Sequence, residues 1–453
     1  MRKKAMAVLV ILSLTVLLAF PAYASDDLRL QVNGGSFDVE EMMIVDDYSM
    51  ISVDKFVYLT GADLSWLDGE NFVIDGNFRT IPFTVGDPVA TDAIGTIDLP
   101  VAPVRIDGVV YIPLRAVSEA MGFAVDWDGA SRQVSLERDE VRDGMTALDL
   151  LVKSNLAQQD INTMGIDGNL DIKVNAMMGD ESMVDDGFSM SMAITGEMQV
   201  EPLQVSIKQS ISGAESMVVE TYMVSDGIYT RVNGAEWIYM ESPMVDELLE
   251  SSMGIMSDPS NMTAYMKDMH KMVVYGNDQW VDGSWYYVVN AFMDADALAS
   301  TIEDMVRQVA IGITDLNDPE MESVLTLMRN MQLDCRYTAW INKETFFSDI
   351  IKFDIKITLP IQLSDFMGIG ETDGDVLDEF ASQVVIMEMF ESGALKMFDT
   401  GGVFNAPDVS GAVGIEDMRP DMEAGDGAEA LEDSADSADS DNAGDEEPIN
   451  DEE

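Results

Sequence analysis

The sequence predicts an α+β protein with two folded parts. A small duplicated strand-helix-strand domain comes first, then a curved antiparallel half-barrel sheet covered by helices. Three observations carry this expectation. A degenerate repeat occupies the first third of the chain, where Ile51, Val53, Gly61 and Trp66 echo Ile112, Leu114, Gly122 and Trp127. The middle of the chain then alternates apolar and polar residues in run after run, the signature of half-buried strands. Segments of helical period interrupt those runs only in blocks. Repetition at a fixed spacing speaks of architecture before it speaks of chemistry.

Taken in order, the first 24 residues read as a signal peptide. Arg2, Lys3 and Lys4 precede the apolar run Ala5–Phe20, and Pro21-Ala22-Tyr23-Ala24 supplies a small-x-small cleavage site. The run is short for a retained span, so no transmembrane anchor is expected after cleavage. No cysteine follows the site to carry a lipid.

The repeat spans residues 28–138. Each copy reads as strand, short helix, glycine stop and a strand bearing a tryptophan. Ser52 is placed as an N-cap and Pro113 at N1. Gly61 and Gly122 supply the left-handed residue that ends each helix. Trp66 and Trp127 are expected as structural core anchors, and Arg115 lies within reach of Asp126 or Asp128. The stretch Tyr111-Ile112-Pro113-Leu114-Arg115-Ala116-Val117, followed by Gly122-Phe123-Ala124-Val125-Asp126-Trp127-Asp128, resembles the copper amine oxidase-like N-terminal (stalk) domain. In that family the domain is accessory, so the resemblance implies neither copper nor oxidation. A single histidine, His270, also rules out a two- or three-His site within one chain.

Residues 139–145 are polar and read as a linker to a second domain, 146–410. It opens with a helix from about Thr146 to Gln158. Strands follow around Leu170–Val174, Met190–Ile194 and Leu203–Ile207. Asp226-Gly227, Asn233-Gly234 and Asp282-Gly283 are turn signals. Helices are expected over 243–272, 294–311 and 319–331, and strands at 333–341 and 351–359. Residues 417–453 are acidic and of low complexity, and are expected to stay disordered. The helix Ala147-Leu148-Asp149-Leu150-Leu151-Val152-Lys153-Ser154-Asn155, the element from Tyr222 through Asp226-Gly227 to Tyr229, and the pair Trp237 and Tyr239 resemble an uncharacterised exported branch of the LolA/LprG-like half-barrels. The resemblance implies an apolar cavity for acyl chains between the concave sheet face and its helices.

Charge narrows the partners. The chain holds 25 Lys+Arg against 84 Asp+Glu, a net −59. From Glu416 onward there are 17 acids and one arginine, and three cations leave with the signal peptide, so the folded part carries about −46. Such a surface repels nucleic acid and anionic headgroups, and suits a saline or alkaline habitat, or simply an acidic secretome.

Catalysis has few candidates. The single Cys335 alternates with apolar neighbours and reads as a buried thiol. No base accompanies it, and 84 acids guarantee chance carboxylate pairs. No enzyme activity and no cofactor are expected.

The 35 methionines are more informative. Met262, Met266 and Met269 share one helical face, with Met272 and His270 beyond them. Three readings stand: core filling, a deformable lining for an apolar ligand, or a Cu(I) site of thioethers and His270. The functional expectation is an exported, non-catalytic cell-envelope protein that binds a lipid or other apolar small molecule through those methionines, with a cell-wall or envelope partner. A structural or interaction module with a filled core is the alternative.

Overall fold

The computed structural model describes residues 28–38, 41–76, 78–159, 161–178, 181–182, 188–213, 216–241, 259–298, 300, 331–362 and 384–414. The expected signal peptide, the acidic tail, and the expected helical positions at 243–258, 301–311 and 319–330 lie outside the described residues.

Four small sheets and two helices occupy residues 29–137. One sheet orders β12 (Ala124–Asp128), β13 (Gln133–Glu137), β1 (Arg29–Val32) and β2 (Gly35–Asp38). A second orders β10 (Val104–Ile106), β11 (Val109–Pro113), β4 (Tyr48–Ser52) and β3 (Met42–Val45). β5 (Asp63–Trp66), β6 (Asn71–Gly76) and β7 (Arg79–Thr84) form a third, and β8 (Val89–Thr91) pairs with β9 (Thr96–Asp98).

The repeat has a geometric meaning. β4 and β11 run antiparallel with Ile51 opposite Ile112, Met50 opposite Pro113 and Ser52 opposite Tyr111. Equivalent residues meet at the centre, so a local two-fold passes through the Ile51–Ile112 pair, both fully buried. Each strand feeds a short helix, α1 (Val53–Thr60) or α2 (Leu114–Ala120). The Ser52 hydroxyl accepts the Lys55 amide at 3.1 Å, the expected N-cap. Pro113 corrects the expectation by one residue. It occupies the N-cap position itself, with φ −69°, and Leu114 begins the helix. Gly61 (φ 74°) and Gly122 (φ 85°) end the two helices in the left-handed region. At the second stop the Gly122 and Phe123 amides donate to the Glu119 and Ser118 carbonyls, closing a Schellman turn.

The tryptophans correct a larger expectation. Trp66 is 42% exposed and Trp127 40%. Neither indole belongs to the core. β5 and β12 are outermost strands of their sheets, and both indoles stay partly open to solvent. Trp66 leans on Phe72 at 5.0 Å and lies beneath Arg105 at 5.6 Å. Arg115 bonds the Val125 carbonyl and Glu119, not Asp126 or Asp128.

The rest of the protein is built on one large curved sheet. Its first run is a meander of β14 (Thr163–Met178), β16 (Phe188–Gln199), β17 (Gln204–Ser212), β18 (Met217–Val224), β19 (Gly227–Val232) and β20 (Ile238–Glu241), with the short β15 (Glu181–Ser182) beside β14. Its second run is β21 (His270–Tyr275), β22 (Gln279–Val281), β23 (Ser284–Met293), β24 (Gln332–Asn342), β25 (Ser348–Gln362) and β26 (Val384–Phe398). β26 returns antiparallel to β14 and joins the runs. Residues 399–414 then cross as a strap, stacking Phe404 on Tyr222 and laying β27 (Val413–Gly414) parallel to β20. Asn233-Gly234 and Asp282-Gly283 turn with both residues at positive φ, as type I′ hairpins need.

Two expectations fail here. The helical block does not reach Met272: α4 (Pro259–Met269) stops, and residues 270–275 are strand β21. Val273 and Val274 alternate between two packed faces there, which a strand permits and a helix does not. β26 also has no counterpart among the expected strands.

β21, β23 and β24 are buried on both sides. Toward the inside, Tyr287, Val289, Ala291, Ala339 and Ile341 pack against Met262 and Met266 of α4 and against α3 (Ala147–Gln158). α3 is started by a Thr146–Asp149 capping box. Toward the outside, Met272, Val274 and Phe292 join the core of the N-terminal part. Phe292 meets Phe37 and Tyr58 edge-on at 5.4 and 5.3 Å. The segment expected as a linker is pinned: the buried Arg142 bonds the Gly276 carbonyl at 2.8 Å, Asp278 at 2.7 Å, and Glu140.

Gly61 serves both the helix stop and this junction. A Cβ there would lie 2.6 Å from the Tyr275 carbonyl oxygen. Gly61→Ala is expected to cost more than the ~1–2 kcal/mol of left-handed strain alone, measured by denaturant unfolding. Ile112→Ala should cost about 2–5 kcal/mol, and Trp127→Ala clearly less. Equal losses for Ile112→Ala and Trp127→Ala would contradict the edge placement of the indole.

Candidate functional site

Strand alternation builds the candidate site. Along β14 the odd residues Asp167, Asn169, Asp171 and Lys173 are exposed, while Ile166, Leu170, Ile172 and Val174 turn to the other, more buried face. The pairing register carries this inner face across the sheet. Phe353, Gly393, Leu170, Met192, Ile211 and Met217 stand side by side on six successive strands. At about 4.8 Å between strands the row is about 24 Å long. The next row adds Ile351, Leu395, Ile194 and Val219, interrupted by Gly168 and the polar Gln209. Apart from Leu170 and Met192 these side chains are half-buried, not sealed.

Met262, Met266 and Met269 lie where the helix meets this sheet, and all three are buried, Met262 completely. They divide between two clusters. Met262 and Met266 pack with Leu150 and Leu151 of α3, and Met269 packs with Leu298, Met331, Leu333, Cys335 and Ile357. Met269 therefore stands nearest the half-buried rows. The Cys335 thiol is on the same face, and burial pushes its pKa up to about 12. A thiol so resistant to ionisation is a poor nucleophile and a poor metal ligand.

His270 uses both ring nitrogens. Nδ1 donates to the Met266 carbonyl at 2.7 Å, and the Tyr337 hydroxyl donates to Nε2 at 2.8 Å. A carbonyl only accepts, so the proton is on Nδ1 and the Nε2 lone pair is taken. Burial lowers the His270 pKa and favours this neutral form. The ring has no free lone pair for Cu(I), which removes the main support for that reading of the methionines. Among the described residues, no three His, Cys, Asp or Glu side chains converge as a metal group.

Glu391 is the residue sequence reasoning missed. It stands between Ile355 and Ile172 on the inner face, 9% exposed. Its Oε2 is buried without a hydrogen-bond partner, and burial raises its pKa above the usual carboxylate range. The alternation Val385, Met387, Met389, Glu391 was the available signal. The aromatic motif of the sequence lies elsewhere. Tyr222, Tyr229 and Tyr239 form a stack on the opposite face, at 5.9 and 4.7 Å, against which the strap packs Phe404.

Comparison with known proteins divides the chain in the same way. Residues 31–136 match the family model for the copper amine oxidase N-terminal domain. Residues 146–365 match a family of unknown function, DUF6612. No curated protein matches the chain. Among solved structures, lipoprotein LppX of Mycobacterium tuberculosis is similar at 11% identity, over 58% of this chain and 98% of that one, with a TM-score of 0.27. LprF from Mycobacterium bovis is similar at 11% identity, over 58% and 97%, with a TM-score of 0.30. A DUF1329 family protein from Desulfovibrio piger follows at 7%, over 58% and 94%, with a TM-score of 0.20. The chain thus joins a segment that matches the copper amine oxidase N-terminal domain to one that matches a family of unknown function.

Proposed function

We propose that this is an exported, non-catalytic protein of the cell envelope that holds a lipid or similar apolar molecule against the inner face of its curved sheet. One observation carries the reading: the row from Phe353 to Met217, apolar on six neighbouring strands and about as long as an extended acyl chain. A soluble domain seldom leaves so long an apolar row half-covered without a use for it. Met269 packs with Ile357, on the same face of β25 as Phe353, where an unbranched thioether can yield to a ligand. Glu391, in its neutral form, offers one hydrogen-bond donor to the polar end of such a molecule. The N-terminal part would position this sheet at the wall or an envelope partner.

A second reading has its own support. Met262 is completely buried and Met266 nearly so, and with α3 they pack solidly onto β21, β23 and β24. A structural module with a filled core would look like that over its whole sheet.

Binding of a fluorescent fatty acid separates the two. The carrier reading expects saturable binding, lipid co-purifying in native mass spectra, and a loss of about tenfold or more in affinity for Ile194→Glu, which puts a charge on the apolar face. Absence of both co-purified lipid and probe binding would leave the filled module.

Glu391 gives a pH signature. Its folded pKa lies above the unfolded value of about 4.3, so it is neutral without penalty in acid. Stability is lost as pH rises from that value through the folded pKa. Glu391→Gln should therefore raise the melting temperature at pH 7 and leave it nearly unchanged at pH 4. Equal effects at both pH values would mean that ionisation of Glu391 is not what the fold resists.

A further inference from the structure

A second cleft lies at the start of β23, and it shares no residue with the apolar rows. The sequence Asp278-Gln279-Trp280-Val281-Asp282-Gly283-Ser284-Trp285 folds into the tight β22–β23 hairpin. Trp280 and Trp285 are direct cross-strand partners, so both indoles project from one face. They are 59% and 52% exposed, and their rings meet at 5.5 Å and 66°. Beside them opens a cleft of about 460 Å³ lined also by Asp278, Ser284, Lys343 and Glu344. That is within the range of small-ligand sites, about 300–1,000 Å³.

The polar wall is preorganised. One Asp278 oxygen accepts from Arg142 at 2.7 Å and the other from Lys343, so the carboxylate is fixed while each oxygen keeps an open lone pair. The Lys343 amide is tied to the Trp285 carbonyl at 2.9 Å, which fixes that wall relative to the indole. Ser284 supplies a hydroxyl, and Glu344 adds an exposed carboxylate at the rim.

The chemistry selects the occupant. Anions meet Glu344 and a chain of net charge −59. Cations compete with Lys343, whose ammonium lies at the cleft and over the Tyr287 ring at 4.3 Å. What remains is an uncharged molecule with one apolar face for an indole and a rim of hydroxyls. Those hydroxyls would give to Asp278 and Glu344 and take from Lys343 and Ser284. We propose that this cleft binds a neutral saccharide, with a pyranose ring stacked on Trp280 or Trp285 and its hydroxyls bridging Asp278, Lys343 and Glu344.

The test uses the full chain on an array of neutral oligosaccharides that includes N-acetylated amino-sugar oligomers. Hits are followed by calorimetry and by tryptophan fluorescence. The expected result is saturable binding of at least one neutral glycan, with affinity reduced about tenfold or more by Trp280→Ala or by Trp285→Ala. Glu344→Gln should weaken binding less. Unchanged fatty-acid probe binding in the tryptophan variants would show two separate sites. Retention of the melting temperature in Trp280→Phe and Trp285→Phe, together with partial glycan binding, would separate stacking from folding. Three results would overturn the proposal: no neutral glycan retained, glycan binding unaffected in the double variant Trp280→Ala/Trp285→Ala, or binding only to zwitterionic phosphatidylcholine vesicles. A lowered melting temperature as the sole effect would make the indole pair a hairpin clasp and nothing more.

Discussion

Burial of β23 on both faces is the constraint on which the rest of the structure depends. A strand covered on one side needs apolar residues at alternate positions, whereas one covered on both needs a near-continuous run. Tyr286 to Phe292 meets that need except at Asn290, and Asn290 is satisfied: its Oδ1 accepts from Thr338 and, at 2.6 Å, from Arg336. Arg336 in turn lies over Tyr58 of the N-terminal part at 4.5 Å. The two parts of the chain therefore share a core and do not merely follow one another. The Arg142 cluster fastens the segment between them to the same strands, so there is little freedom left for a hinge.

This arrangement explains what the sequence made legible. Repeat, helix stops and turns were readable because each rests on a residue with a local backbone requirement: Gly61 and Gly122 at positive φ, Asn233-Gly234 and Asp282-Gly283 in type I′ turns. Alternation also placed the inner face of β14, β16, β17 and β25 correctly. Burial of Trp66 and Trp127 was misread because residue type does not say whether a strand lies at the edge of its sheet, and here both strands do. The helix was carried too far because the spacing of Met262, Met266 and Met269 continues acceptably to Met272, although that side chain joins the opposite layer. Glu391 was hidden among 84 acids, and only the pairing of β26 with β14 and β25 gives it a distinct environment.

The two candidate sites differ in a way that follows from their place in the sheet. The inner face is long, apolar and bordered by pliable thioethers, with one buried acid. The hairpin cleft is short and polar-walled, and its groups are held by ion pairs and strand register. Adaptable recognition belongs to the first and fixed recognition to the second. The hairpin cleft lies at the beginning of β23, whereas the apolar row starts two strands away, on β25.

The seam between β14 and β26 has a consequence for the order in which the molecule assembles. Leu170 and Gly393 face each other across it although 223 residues separate them, and among the described residues the other edge, at β20, is covered by β27 from the strap. The first meander therefore stays open at both margins until almost the whole described chain has been synthesised. Closing contacts this distant costs loop entropy before it yields any pairing, which slows folding. The β14–β26 seam is then the last part of the sheet to zip shut, and it can do so only after β26 has been made.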